Sequence, residues 1–392
     1  MPPAAEELLE TLVRLEPGAR VVRTVDAVAP GPGRHRVLVP DRTHPVALAV
    51  DHPGALAAAT WTTDATTTTA SSLRMLGTRA WLTMTGGGMA PDRVAVVGGR
   101  QTLVDHLSEV LGEAVTYTLR VDDALTCRRP VLQLFDERRR LFAHAVLGLG
   151  PASRRDLEST AAALGVVGER EWEHLEVPRV LARTTWEDVD VLVTAALRPS
   201  WWQGSERRRL EVPAEAMGEL SRAWAEDAVR VDEMAWTLAQ QRTAAGLRSR
   251  HARTRLEAAL EKVLRDARRT TWPVGAWHGD WTAVHMARRG STVQLWGWTR
   301  FEVGVPMGLD PCHFAVAESV RRHGLTPDAV RTGLREALRR QPGPGASMMG
   351  GLYLLAVTTR ELALADGPGG HRVTERAEVL LTALEGWLGA RP

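Results

Sequence analysis

Trp277–Val316 reads WHGDWTAVHMARRGSTVQLWGWTRFEVGVPMGLDPCHFAV, and the fold is decided there. A His-Gly-Asp triplet, His278–Asp280, is followed by apolar positions at Val284 and Met286, a glycine at Gly290, and then Val293 and Leu295. Alternation on both sides of a glycine predicts a short hairpin with the triplet at its mouth. The closing strand runs into WGWTRFEVGVP, so Gly297 and Glu302 follow the hairpin closely.

Outward from this stretch the chain has two characters. On the C-terminal side, Pro213–Trp224, Val229–Thr243 and His251–Arg268 show helical periodicity. In the last of these, Leu256, Ala259, Leu260, Val263, Leu264 and Ala267 form one apolar stripe. Thr326, Pro327 and Asp328 make a helix start, with a hydroxyl cap, an early proline and a carboxylate at the positive end. Further helices are expected over Ser347–Asp366 and Val373–Leu388.

The N-terminal side is rich in strands. Arg36–Val50 reads as a hairpin around a turn at Asp41–His44. Strands are expected at Arg79–Met84 and Arg93–Gly98, a loop at Thr60–Ser72 and a helix at Gln101–Leu111. Val115–Val121, Pro130–Phe135 and Leu141–Leu147 alternate as strands, Ala152–Leu164 reads as a helix, and Val177–Ala182 and Val189–Ala196 as two more strands. The sum is an α+β, bilobal plan. We divide it into an N-terminal α/β extension at 1–114, a strand-rich lobe at 115–198 and a helical lobe at 199–392.

Composition narrows the function. A net charge of +2 on 392 residues argues against a nucleic-acid face. No apolar run reaches the roughly 18 residues that cross a bilayer, and Met1–Glu10 lacks a signal pattern, so a cytoplasmic protein is expected. Cys127 and Cys312 offer neither metal-ligand spacing nor a disulfide framework. Lys262 is the only lysine, and the chain has no Asn and no Ile. That set matches a GC-rich genome.

With the hairpin, the triplet and the strand-rich half in place, the chain resembles the aminoglycoside phosphotransferase and choline kinase family, which has the protein-kinase-like fold. The resemblance covers roughly Val115 to Ala317. In that family the Asp of His-Gly-Asp acts on the substrate hydroxyl, while an Asn five residues later and an Asp at the end of the hairpin hold Mg²⁺ on ATP. The resemblance therefore implies Asp280 as catalytic base, with His278 beside it. It places His285 at the Asn position, Gly297 at the metal-binding Asp, and Thr299 at the acidic residue that follows. The phosphate-binding Lys falls at His144 or Val146, and its partner Glu near Thr160, with Glu158 two residues away. The phosphate-covering loop falls at Asp122–Arg129, which has no glycine. With one lysine and no Asn in the chain, no shift of register restores either residue.

The resemblance thus implies a degenerate member, a pseudokinase impaired in catalysis that acts by binding a small molecule or a protein partner. The alternative is an active ATP-dependent phosphotransferase for a small hydroxylated substrate, with Asp280 as base and a rebuilt site for ATP and Mg²⁺. A third reading keeps Asp280 and His278 as a metal-free acid–base pair. Substitutes for the lost groups would have to come from Arg138–Arg140, His285, Glu302 or Asp310, although Asp310 is expected to hydrogen-bond the loop backbone. Trp277, Trp281, Trp296 and Trp298 crowd the same region and could wall a stacking pocket or plug it. Trp201 and Trp202 could line the gap between lobes, and Ser205–Leu210 reads as a solvated loop.

Overall fold

The structure is a computed structural model that describes residues 3–17, 20–24, 34–39, 46–49, 93–97, 101–123, 125–138, 140–197, 210–339 and 345–389. The expected strand at Arg79–Met84, the Thr60–Ser72 loop, Trp201–Trp202 and Ser205–Arg209 lie outside the described residues.

Antiparallel pairing organises the first half. Its strands are β1 (Arg20–Thr24), β2 (Arg34–Val39), β3 (Val46–Ala49), β4 (Arg93–Val97), β5 (Thr116–Asp123), β6 (Arg128–Phe135), β7 (Leu141–Gly148), β8 (Leu175–Glu176), β9 (Val180–Trp186) and β10 (Val189–Ala195). All but β8 join one nine-stranded sheet in the order β1-β4-β2-β3-β5-β6-β7-β10-β9. The expected hairpin is there, with Val37 opposite Leu48. Val46 pairs with Arg120 and Ala47 with Leu119, so strands before and after residue 114 share one sheet.

One face of this sheet is apolar because alternate residues point the same way. Leu119, Leu132, Leu134, Ala145 and Val191 bury there against α1 (Pro3–Leu15) and α2 (Leu103–Leu111), through Leu8, Leu12, Leu103 and Leu107. Thr102 and Asp105 cap α2 reciprocally, and Gly112 ends it at a φ of 71°. After β7, α3 (Pro151–Gly168) packs on the sheet and reaches toward the second lobe.

The second half contains α4 (Ala214–Arg222), β11 (Glu226–Arg230), α5 (Ala235–Ala245), α6 (Arg250–Ala267), β12 (Thr271–Trp277), β13 (Met286–Arg289), β14 (Thr292–Leu295), β15 (Glu302–Pro306), α7 (Leu309–His323), α8 (Pro327–Arg339), α9 (Ala346–Ala365) and α10 (Thr374–Gly389). One expectation needs correcting: helical periodicity across Val229–Thr243 holds only from Ala235. Residues 226–230 instead form an edge strand on β12, where Val229 faces Trp272 and Arg230 faces Thr271. Ladder hydrogen bonds from a neighbour distant in sequence outweigh a local apolar spacing there.

The β13–β14 hairpin turns at Gly290, at a φ of 64°, and β8 adds to it in parallel. Leu164 and Val167 from α3, Met217 and Leu220 from α4, and Trp281, Met286, Leu295, Trp298 and Phe314 bury together. This core joins the strand-rich lobe to the hairpin. A larger one fills the helical lobe around Leu256, Leu334, Leu355 and Leu381. Among the described residues no helix is long and apolar enough to cross a membrane.

Helices α7 and α8 approach closely at Gly333, where an added Cβ would lie 2.6 Å from the Ala315 carbonyl oxygen and 2.7 Å from the Val316 Cα. Alanine is better than glycine in a helix by about 1 kcal/mol. Overpacking against backbone costs about 1–3 kcal/mol and should win. Gly333→Ala is therefore expected to lower stability in urea unfolding, and a gain would show that the two helices separate freely.

Candidate functional site

The His278–Asp280 loop is built around a carboxylate it does not contain. Asp310, in the first turn of α7, accepts the backbone N–H of His278 at 2.8 Å and of Gly279 at 3.2 Å. This is the role expected of it. Burial pushes its pKa up to about 7, against the downward pull of those two N–H groups. From α9, Arg360 donates to the Gly279 carbonyl at 2.8 Å and stands 5.3 Å from the Trp277 ring centroid. Gly279 itself has a φ of 78°, and a Cβ there would fall 2.2 Å from the Arg300 carbonyl oxygen. The triplet's glycine is thus a steric requirement.

Asp280 emerges from this loop with its carboxylate half-buried. His313 Nε2 lies 3.4 Å from Oδ1, and His285 Nδ1 lies 3.6 Å from Oδ2. Burial alone would raise its pKa, yet His285, His313 and Arg360 together hold it well below the ordinary carboxylate range. Behind it the Tyr353 hydroxyl meets His313 Nδ1 at 3.3 Å, so Tyr353, His313 and Asp280 form a polar chain through the wall. Burial lowers the His313 pKa, opposed by the Asp280 carboxylate.

His278 points elsewhere. Its side chain is fully buried, its Nδ1 accepts the Asp280 N–H at 3.3 Å, and its ring packs edge-on against Trp298 at 4.7 Å and Trp281 at 5.9 Å. Burial lowers its pKa to about 3, so the imidazole is neutral and shapes the loop. Trp277, Trp281 and Trp298 are likewise core residues, each at most 2 % exposed.

The two positions at which the resemblance expects metal ligands, 285 and 297, are linked by contact. His285 Nδ1 donates to the Asp280 carbonyl at 2.8 Å and lies 3.3 Å from the Thr282 hydroxyl. Its ring covers Gly297, which has a φ of 86°; an added Cβ would stand 2.9 Å from His285 Cδ2. The imidazole occupies the space from which an aspartate side chain at 297 would start. These residues do not fit Mg²⁺, which takes oxygen ligands in near-octahedral array, whereas the pair offers a nitrogen and a hydrogen. Among the described residues no three His, Cys, Asp or Glu side chains are placed to share a metal ion. Glu302 is turned to Trp277, whose indole N–H reaches it at 3.4 Å.

In the strand-rich lobe His144 and Val146 sit on β7, opposite Gln133 and Val131. Burial, then Arg120, lowers the His144 pKa to about 3, so this histidine carries no charge for phosphate. Thr160 on α3 meets Thr299 at 2.9 Å across the lobes, while Glu158 faces Arg183 at 3.9 Å between exposed side chains. The α3 carboxylate that faces the site is Asp156, 4.0 Å from Arg300. The segment expected to cover the phosphates is closed onto the helical lobe: the Thr126 carbonyl oxygen lies where a Cβ on Gly369 would be 1.9 Å away. Arg140 is tied to Asp136 at 3.0 Å, and Arg139 lies outside the described residues.

Between these elements lies a cleft of about 710 Å³. Asp280, His285 and Gly297 line it, with Asp156, Arg129 and Arg300 from the lobe boundary and His313 and Tyr353 from the helices. Sequence reading passed over Asp156, His313, Tyr353 and Arg360. His313 comes from α7, a helix not expected from the sequence, and the others come from α3 and α9, remote in sequence.

Comparison with protein-family models and with the sequences of curated proteins gives no match. The fold does have solved relatives. The ternary complex of a thermostable mutant of aminoglycoside phosphotransferase APH(4)-Ia with ADP and hygromycin B superposes with a TM-score of 0.53 at 13 % identity, covering 74 % of this chain and all of that one. Another thermostable mutant of the same enzyme, with AMP-PNP and hygromycin B, gives 0.52 at 13 % identity over the same shares. The chain therefore has the kinase-like fold of aminoglycoside phosphotransferases.

Two outcomes follow from this geometry. Gly297→Asp is expected to destabilise by about 1–3 kcal/mol, through positive φ and the His285 ring. Combined with His285→Asn the cost should shrink, with a coupling of about 0.5–3 kcal/mol in a denaturation double-mutant cycle. Additive effects would show that the ring does not set the residue at 297. As for pH, His144, His278 and His313 are all held below the free value of about 6.5. The unfolded chain thus binds more protons than the folded one as pH falls below about 6.5, down to about 3 for His144 and His278, and stability falls as pH drops through that window. Asp310, held at about 7 against roughly 4 when unfolded, opposes this with one proton. Urea unfolding should show lower stability at pH 5 than at pH 7.5, and His278→Asn should flatten the difference; a higher stability at pH 5 would refute the assignment.

Proposed function

We propose that this protein is a kinase-fold binding protein that has lost metal-assisted phosphoryl transfer from ATP and acts by holding a small molecule or a partner in the Asp280 cleft. The observation that carries this reading is the His285 ring lying over Gly297. Phosphoryl transfer depends on positioning and on charges that neutralise the transferred group. Loss of one well-placed donor costs on the order of 10²–10³ in rate. Here both metal positions are changed together, and the strand position of the lysine holds a neutral histidine or a valine. The phosphotransferase complexes that share the fold contain ADP or AMP-PNP with hygromycin B. In this chain Asp280 spends its charge on His285, His313 and Arg360 instead.

A second reading is favoured by one observation: the Asp280 carboxylate is held ionised and faces the cleft. It would serve as base for a small hydroxylated substrate in an active ATP-dependent phosphotransferase. Melting curves with ATP, with and without Mg²⁺, separate the two. A nucleotide at about 100 times its Kd adds roughly 2.7 kcal/mol to stability. The expected result is no Mg²⁺-dependent shift and no ATP turnover above that of Asp280→Asn. Turnover that Asp280→Asn abolishes would replace the first reading with the second.

A further inference from the structure

The walls of the cleft say what kind of molecule fits it. Resting on the reading of the cleft as a binding site, we propose that it takes an uncharged aliphatic molecule carrying a hydroxyl, its hydrocarbon body seated among α7, α8, α9 and α10.

The cavity lies beside the helical lobe. From the strand-rich lobe Leu125, Arg129 and Asp156 reach it, whereas His144 and Val146 on β7 do not. Helical spacing sets much of the remaining lining. His313, Val316 and Val320 share one face of α7, Tyr353 and Val357 one face of α9, and Arg376 and Leu380 one face of α10. Each of these helices thus sets a polar group one turn from an aliphatic one. Leu325, just after α7, and Val330, in α8, add to the apolar wall. An aliphatic sector beside a few placed polar groups is the usual make-up of a small-molecule site, and about 710 Å³ is room for one.

The ionic side chains of the lining are engaged within the protein. Glu318 holds Arg321 at 3.0 Å, Glu361 faces Arg376 at 3.5 Å, and Asp156 faces Arg300 at 4.0 Å. Arg372 is engaged as well, and Arg129 stands with Asp156 around Cys127. Asp280 is matched by His285, His313 and Arg360. A charged ligand would give up its hydration for partners already taken, which is unfavourable in a partly enclosed space.

One polar position stays open. His285 Nδ1 lies 3.6 Å from Asp280 Oδ2, but its proton goes to the Asp280 carbonyl at 2.8 Å. His313 serves the other oxygen, Oδ1. Among the described residues, then, Oδ2 accepts no hydrogen bond, although the carboxylate lines the cleft. An ionised carboxylate accepts and does not donate, so the ligand supplies the proton. A hydroxyl does this without adding charge.

Calorimetric titration of the full chain in EDTA tests the proposal with four probes of matched length: octan-1-ol, its isomeric ether 1-methoxyheptane, octylammonium and octanoate. Octan-1-ol should bind about tenfold more tightly than the ether, which cannot donate, and more tightly than either ion. Val320→Thr, which keeps the side-chain shape, and Leu325→Ser should each weaken the alcohol by about fourfold or more, the effect of losing one buried methyl group. The comparison of alcohol with ether needs no substitution, so a variant that fails to fold leaves the test intact. No binding of the alcohol, an ether that binds as tightly, a tighter ion, or affinities untouched by both substitutions would overturn the proposal. ATP turnover in Mg²⁺ that Asp280→Asn abolishes would sink the proposed function and leave these affinities standing. Failure of the alcohol without turnover would sink only the ligand assignment.

Discussion

A buried carboxylate that never faces the cleft sets the geometry of everything that does. Asp310 accepts two successive backbone N–H groups of the His278–Asp280 loop, and Arg360 closes the loop from the opposite side through the Gly279 carbonyl. Stripping a carboxylate of water is unfavourable, which is why its pKa rises toward neutrality. The arrangement persists because each partner would otherwise be a buried polar group without a mate. From it follow the direction of Asp280, the edge-on stacking of His278 on Trp298, and the attachment of the loop to α7 and α9.

Once that loop is held, changes downstream of it are not independent. His285 swings its ring between the Asp280 carbonyl and Gly297, using volume that a metal-binding carboxylate would need. A glycine at 297, in the left-handed region, is the residue that tolerates both the ring and the backbone. The histidine at 285 and the glycine at 297 are thus one packing solution. On the far side of the cleft, the Thr160 and Thr299 hydroxyls meet at 2.9 Å across the lobes.

The lobes are joined by apolar packing and by charge. Leu164, Val167, Trp281 and Trp298 form a shared core, while Asp156 and Arg300 bridge the boundary above it. The closed approach of Thr126 to Gly369 brings Arg129 and Arg372 to the same side of the cleft. Basic side chains that look scattered in sequence therefore become one electrostatic feature.

The sequence by itself determined a good deal. Alternation in VLQLF and LFAHAVL, the stripe from Leu256 to Ala267 and the Thr326 cap are local signals, so strands, helices and the two-lobed plan were legible. The absence of Asn, and of any lysine but Lys262, was legible too, because composition does not depend on folding. The edge strand at 226–230 was not, since its pairing partner on β12 lies some forty residues away. Nor was the role of Asp156, His313, Tyr353 and Arg360, which reach the site from helices far apart in the chain. Only tertiary structure decided that His285 and Gly297 share one space, and that five arginines distant in sequence line one cleft. Such contacts are made between distant segments, and no window of sequence contains them.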